Sequence, residues 1–126
     1  MTGVGSDSSN KVSRMSLRRI CHENDVKNGA ARSFEFLRDG VKREGILVRD
    51  KESLVAFENV CRHIPISLDG GTGDFLTPDG RQLICHGHGA VFETSTGLCI
   101  RGPCAGLALK KIPVTLRNTE VWIEED

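Results

Sequence analysis

Cys61-Arg62-His63 and Cys85-His86-Gly87-His88-Gly89-Ala90, with 21 residues between His63 and Cys85, decide how this chain is read. Each stretch offers one thiol and one imidazole at short range: Cys61 and His63 are two positions apart, Cys85 and His88 three. Thiolate and neutral imidazole are both metal donors, so the two pairs together make a Cys2His2 ligand set. Zinc accepts that set tetrahedrally, and an iron–sulfur centre with cysteines on one iron and histidines on the other accepts it too. Zinc ribbons and fingers favour other pair spacings. An all-cysteine plant-type cluster needs Cys-x4-Cys-x2-Cys; Cys99 and Cys104 supply the first interval, but Leu107 stands where the next cysteine is required.

Outward from these stretches the chain reads as short strands between turn signals, with little helical periodicity. Leu54 to Asn59 leads into Cys61, and Gln82-Leu83-Ile84 delivers Cys85. Val91 to Glu93 leaves the second stretch, and Ser95-Thr96-Gly97 turns back. Upstream, Leu17 to Ile20 reads as a strand, followed by a polar turn at Glu23-Asn24-Asp25. Ala31 to Arg38 and Val41 to Val48 form a hairpin about Asp39-Gly40, a strong hairpin dipeptide. Lys111 to Leu116 and Glu120 to Glu124 read as a closing hairpin about Arg117-Asn118-Thr119. Asp69-Gly70-Gly71-Thr72-Gly73 and Gly102-Pro103-Cys104-Ala105-Gly106 read as loops. The expected fold class is all-β, in one domain without internal repeats. Both histidine-bearing segments lie where strands end, as for a site carried by loops on a rigid scaffold.

The chain has 126 residues, the size of one domain, with 38% hydrophobic residues, five Phe and one Trp. That allows a modest core, which a bound metal centre would reinforce. Seventeen basic residues balance seventeen acidic ones, which is not the footprint of a nucleic-acid binder. No run approaches the roughly 18 apolar residues of a membrane span. Residues 1–15 are rich in Gly, Ser and Asn and lack an apolar signal core, so they are expected to form a disordered tail before a domain at 16–126. That pattern leads us to expect a reducing cytoplasm, where cysteines serve as ligands or free thiols; an odd count of five also fits a disulfide framework poorly.

The pattern Cys-x-His…Cys-x-x-His, and Cys85-His86-Gly87-His88-Gly89-Ala90 in particular, resembles the Rieske 2Fe–2S family. The resemblance runs from about Met15 onward and includes Gly102-Pro103, at the place of the family's proline loop. It implies antiparallel sheets with a smaller cluster-binding subdomain made of two ligand loops and the proline loop. It also implies one 2Fe–2S cluster per chain, with Cys61 and Cys85 on one iron and His63 and His88 on the other. Two departures stand out. The gap between the ligand pairs is longer than usual, consistent with a surface insertion around Phe75 to Gly80, because lengthening a loop costs little. Ile64-Pro65 replaces the small residues that often follow the first histidine, and Pro65 has no N–H to offer a sulfide.

High-potential members of the resembled family carry a Ser two positions after the second histidine, a Tyr two beyond it, and a disulfide between the ligand loops. Here Ala90 and Phe92 occupy the first two places, tyrosine is absent altogether, and neither loop has the extra cysteine. The resemblance is therefore to the low-potential ferredoxin type, a soluble bacterial-like electron carrier working between a reductase and an acceptor redox protein. An oxygenase subunit would need a second iron held by two histidines and a carboxylate. Only four histidines exist, and His22 and His86 are all that the cluster leaves. A redox-sensing or regulatory small subunit, and a structural zinc domain, remain as alternatives. His86 reads as a loop residue rather than a ligand, Cys99 and Cys104 as small buried thiols or a redox pair, Cys21 and His22 as loop positions, and Trp122 as core.

Overall fold

The computed structural model describes residues 16–51, 53–62 and 66–125. The expected tail and His63, Ile64 and Pro65 lie outside the described residues. Among the described residues, ten strands run in chain order: β1 (Ser16–His22), β2 (Ala31–Arg38), β3 (Val41–Asp50), β4 (Ser53–Glu58), β5 (Gln82–Ile84), β6 (Val91–Glu93), β7 (Cys99–Arg101), β8 (Lys111–Ile112), β9 (Val114–Arg117) and β10 (Glu120–Glu125). They form three antiparallel sheets, ordered β1-β10-β9, β2-β3-β4-β8 and β5-β6-β7. The all-β expectation is borne out; one short 3-10 turn, Glu23–Asp25, follows β1.

The four-stranded sheet lies in the middle and is apolar on both faces. Successive side chains of a strand point to opposite faces, so Ile46 and Val48 enter one core while Leu47 enters the other. On β4, Phe57 and Ala56 divide the same way. One core joins this sheet to β1-β10-β9 through Phe34, Phe36, Val121 and Ile123. The other joins it to the small sheet and its loops through Leu68, Phe75, Leu83 and Phe92.

The turns follow from residue chemistry. Asp39 and Gly40 both take positive φ (55° and 76°) between the paired ends Arg38 and Val41, as the twist-matched two-residue hairpin requires. Four expectations need correction. Cys21 and His22 belong to β1: Cys21 is buried, and the His22 ring accepts the Asn24 N–H to cap the 3-10 turn. The expected strand 111–116 breaks at Pro113, which has no N–H for a ladder, so β8 joins the middle sheet and β9 the outer one. Trp122 is only half-buried, on the face opposite Val121 and Ile123.

The fourth correction concerns the long gap. The stretch from Phe75 to Gly80 is no loose surface insertion. Leu76 pairs with Leu83, the Thr77 N–H donates to the Gln82 carbonyl (2.8 Å), and the Ile84 N–H donates to the Phe75 carbonyl (2.9 Å). This makes a hairpin whose first strand drives Phe75 into the core, while Pro78, Asp79 and Arg81 at its tip are exposed. Among the described residues, no helix is long and apolar enough to cross a membrane.

Candidate metal centre

Two loops at one end of the small sheet carry the thiols. The first leaves β4 and closes on itself where the Cys61 N–H donates to the Ile66 carbonyl (2.8 Å). Its two ends are clamped by one buried side chain. Asn59 Oδ1 accepts the Leu68 N–H (2.8 Å), while Asn59 Nδ2 donates to Glu44 (2.6 Å) and to Asp69 (3.3 Å). Burial works against the charge on Asp69, yet donors from Gly73, Asn59 and Gly71 together hold its carboxyl below the usual carboxylate range.

The second loop prolongs the β5–β6 hairpin. The Cys85 N–H donates to the Ala90 carbonyl and the Gly89 N–H to the Cys85 carbonyl, both at 2.8 Å, with Gly89 at φ 73°. The His86 N–H donates to the Leu68 carbonyl (3.0 Å), tying the loops to each other. His86 is not part of the thiol pocket. Its Nε2 lies 2.9 Å from the Asp74 carbonyl, which can only accept, and 3.7 Å from the Asp74 carboxylate. This fastens the loop to the start of the hairpin at Phe75.

The fold brings Cys61 and Cys85 together and buries both (3% and 0% exposed). Burial pushes the Cys85 thiol up, helped by the hydrogen-bonded Cys61 thiol beside it, while the backbone N–H groups of Gly87 and His88 point at its sulfur and pull it down. Donors aimed at a sulfur favour the thiolate that a metal needs. At Gly87 a Cβ would meet Ile66 Cδ1 at 2.8 Å, so a larger residue there would push the exposed Ile66 side chain aside. His88, by contrast, is exposed at the tip of its loop.

Among the described residues, no three His, Cys, Asp or Glu side chains converge on one ion. A centre with two protein ligands per iron does not ask for three, and His63 lies outside the described residues. Buried adjacent thiols, N–H groups aimed at sulfur and an exposed imidazole fit a cluster whose cysteine-bound iron is the inner one.

The loop after β7 covers this end. Gly102 takes φ 103°, and a Cβ on it would meet the Ala90 Cα at 2.8 Å, so the cover rests directly on the second ligand loop. Cys99 and Cys104, at the base of that cover, are both buried, with their sulfurs 3.1 Å apart. The sequence reading missed Asn59 and Asp69 as loop clamps. The available signal was an accounting one: the backbone polar groups of a buried loop must find partners, and these two flank it.

Fold and site together define a β-sheet domain that holds a metal centre between two Cys/His loops. The model of the Rieske [2Fe-2S] domain matches residues 16–113, and the chain belongs to that family, whose cofactor is a 2Fe–2S cluster and whose chemistry is electron transfer. Among curated proteins, none matches the chain. Among solved structures it is similar to the ferredoxin of carbazole 1,9a-dioxygenase from Nocardioides aromaticivorans IC177, at 26% identity and a TM-score of 0.66, covering 88% of this chain and 99% of that one. A complex of reduced oxygenase and oxidised ferredoxin in carbazole 1,9a-dioxygenase matches at 27% identity and TM-score 0.65, covering 85% and 91%. The terminal oxygenase of carbazole 1,9a-dioxygenase from Novosphingobium sp. KA1 shares the fold (17% identity, TM-score 0.67) over 87% of this chain and 30% of that one.

Proposed function

We propose that this chain is a low-potential Rieske-type ferredoxin of the cytoplasm, taking single electrons from a reductase and passing them to a terminal oxidoreductase or oxygenase. The observation that carries the reading is the buried Cys61–Cys85 pair with the Gly87 and His88 N–H groups aimed at sulfur. In this reading Cys61 and Cys85 hold one iron, and His63 and His88 hold the other. When bound, the cluster supplies a reversible one-electron couple. The protein's part is to keep water from the thiolates, present donors to the sulfurs, and leave the His88 edge at the surface where electrons cross. The similarity to carbazole dioxygenase ferredoxins supports an oxygenase as acceptor.

The remaining histidines are otherwise engaged. His22 caps the 3-10 turn after β1, and His86 is bound to Asp74. This argues for a carrier over an oxygenase subunit. Ala90 and Phe92 are both fully buried and bring no hydroxyl near the sulfurs, which keeps the potential low.

The test is spectroscopic and electrochemical. Purified protein reduced with dithionite should give the rhombic EPR signal of mixed Cys/His ligation, lost in His88→Ala. It should also accept electrons from a flavin reductase. A colourless, zinc-containing preparation would refute the reading. A redox titration should fall in the lower part of the roughly −150 to +300 mV range; a value above about +150 mV would overturn the low-potential assignment.

A further inference from the structure

Four of the five cysteines sit in the core beneath the ligand loops, and the proposed ligation uses two of them. The other two, Cys99 on β7 and Cys104 in the covering loop, are held together by the backbone. The Cys99 N–H donates to the Leu107 carbonyl (2.7 Å), the Gly106 N–H donates to the Cys99 carbonyl (3.0 Å), and the Leu107 N–H donates to the Cys104 carbonyl (2.9 Å). This ladder folds Cys104 back over Cys99. The thiols then form a short chain: Cys104 S–H donates to Cys99 Sγ at 3.1 Å, and Cys99 S–H donates to the Arg101 carbonyl at 3.3 Å. A disulfide has sulfurs about 2.05 Å apart, so roughly 1 Å of approach separates this pair from a covalent bond.

We propose that Cys99 and Cys104 are a redox modification site, a dithiol that closes to a disulfide by exchange with a low-molecular-weight disulfide. One protein sulfur, as thiolate, attacks the reagent's disulfide and expels one reagent thiolate, leaving a mixed disulfide. The second protein sulfur then attacks that bond and expels the other. Two electrons and two protons pass from the dithiol to the reagent, which leaves as two thiols. The cluster takes no part in the step.

Closure would covalently fasten β7 to the loop whose Gly102 lies on Ala90, locking the cover over the second ligand loop. Both thiols are buried, so exchange is slow and the reduced pair persists in a reducing compartment.

The test uses the iron-loaded protein, incubated with oxidised glutathione, quenched in acid, alkylated and digested with trypsin. Arg101 lies between the two cysteines, so cleavage after Arg81, Arg101 and Lys110 places them on peptides 82–101 and 102–110. The expected result is those peptides joined through Cys99 and Cys104, two alkylation sites lost per chain, and unchanged visible absorption of the cluster before quenching. Cys104→Ser should abolish the joined pair. Full alkylation of both cysteines at every glutathione ratio would overturn the proposal. So would a bond that maps to Cys61 or Cys85 with loss of the cluster's absorption. The wild-type measurement stands without the variant.

Discussion

The two faces of the β2-β3-β4-β8 sheet are packed by different means. Against one face lies the outer sheet, where β1 and β10 pair along nearly their full length and Phe34, Phe36, Leu47, Val121 and Ile123 fill the space between. Against the other lie strands of only three residues and the ligand loops, with four cysteines among the buried residues. There, order comes from side-chain clamps such as Asn59 and from thiols placed to bind metal. The outer half is held by ladders and apolar area, which need no cofactor. The inner half is shaped for one, and metal binding is coupled to folding where the loops cannot order themselves alone.

The sharpest way to separate the halves is to remove a proposed ligand. Cys85→Ala should reduce bound iron and visible absorption to background. Amide protection should fall across residues 66–92 while β2 and β3 stay protected, as hydrogen exchange would show. A variant that loses protection everywhere at once would mean that the halves are not separable. Phe36→Ala attacks the other side: the ring is 1% exposed, packs with Phe34 at 6.0 Å between centroids, and carries the Arg38 guanidinium 5.6 Å above it. We expect a loss of about 3–5 kcal/mol in denaturant unfolding, with both halves failing together because they share the middle sheet.

Asn59→Ala should cost less, about 1–3 kcal/mol, by leaving the Leu68 N–H without its acceptor and taking one donor from each of the Glu44 and Asp69 carboxylates. Its signature should be faster cluster loss on heating, with little change in protection of β1 and β10. The smallest effect concerns pH. Asp69 has its folded-state pKa below the ordinary value of about 3.9, so it binds fewer protons folded than unfolded. Its contribution is complete above that ordinary value and disappears as pH falls through the lowered folded value. Asp69→Asn should therefore flatten the acid limb of the stability profile in that window and leave the slope above pH 5 unchanged.

How far this was legible from the residues depended on whether the cause was local. Ala31–Arg38, Gln82–Ile84 and Val91–Glu93 have the bounds that alternation and turn signals indicate, and Asp39-Gly40 fixes its hairpin without outside help. Cys61, His63, Cys85 and His88 were legible as candidate ligands because spacing and residue type carry that information; the structure adds that the Cys61 and Cys85 thiols meet. The partition at Pro113 was not legible. A proline interrupts pairing, but that the first half-strand joins the middle sheet is settled by β4, a partner distant in sequence, while β9 pairs with β10 in the local hairpin. Phe75 looked like part of an insertion, since nothing local says that its ring fills a core reached across the sheet. Cys21 looked like loop for the same reason: its burial comes from β10 lying alongside.

The pairing of β1 with β10 has a use beyond stability. Ser16 and Glu125 are register partners, so the two edges of the described chain lie side by side, while Pro78 and Asp79 form an exposed tip on the opposite half. A short linker across the first pair and new termini at the second would rewire the sequence order without breaking a ladder. Such a circularly permuted chain would begin and end at a tip beside Gly29, at the end of β5 away from Cys85, so a protein fused there would leave the thiol loops uncovered.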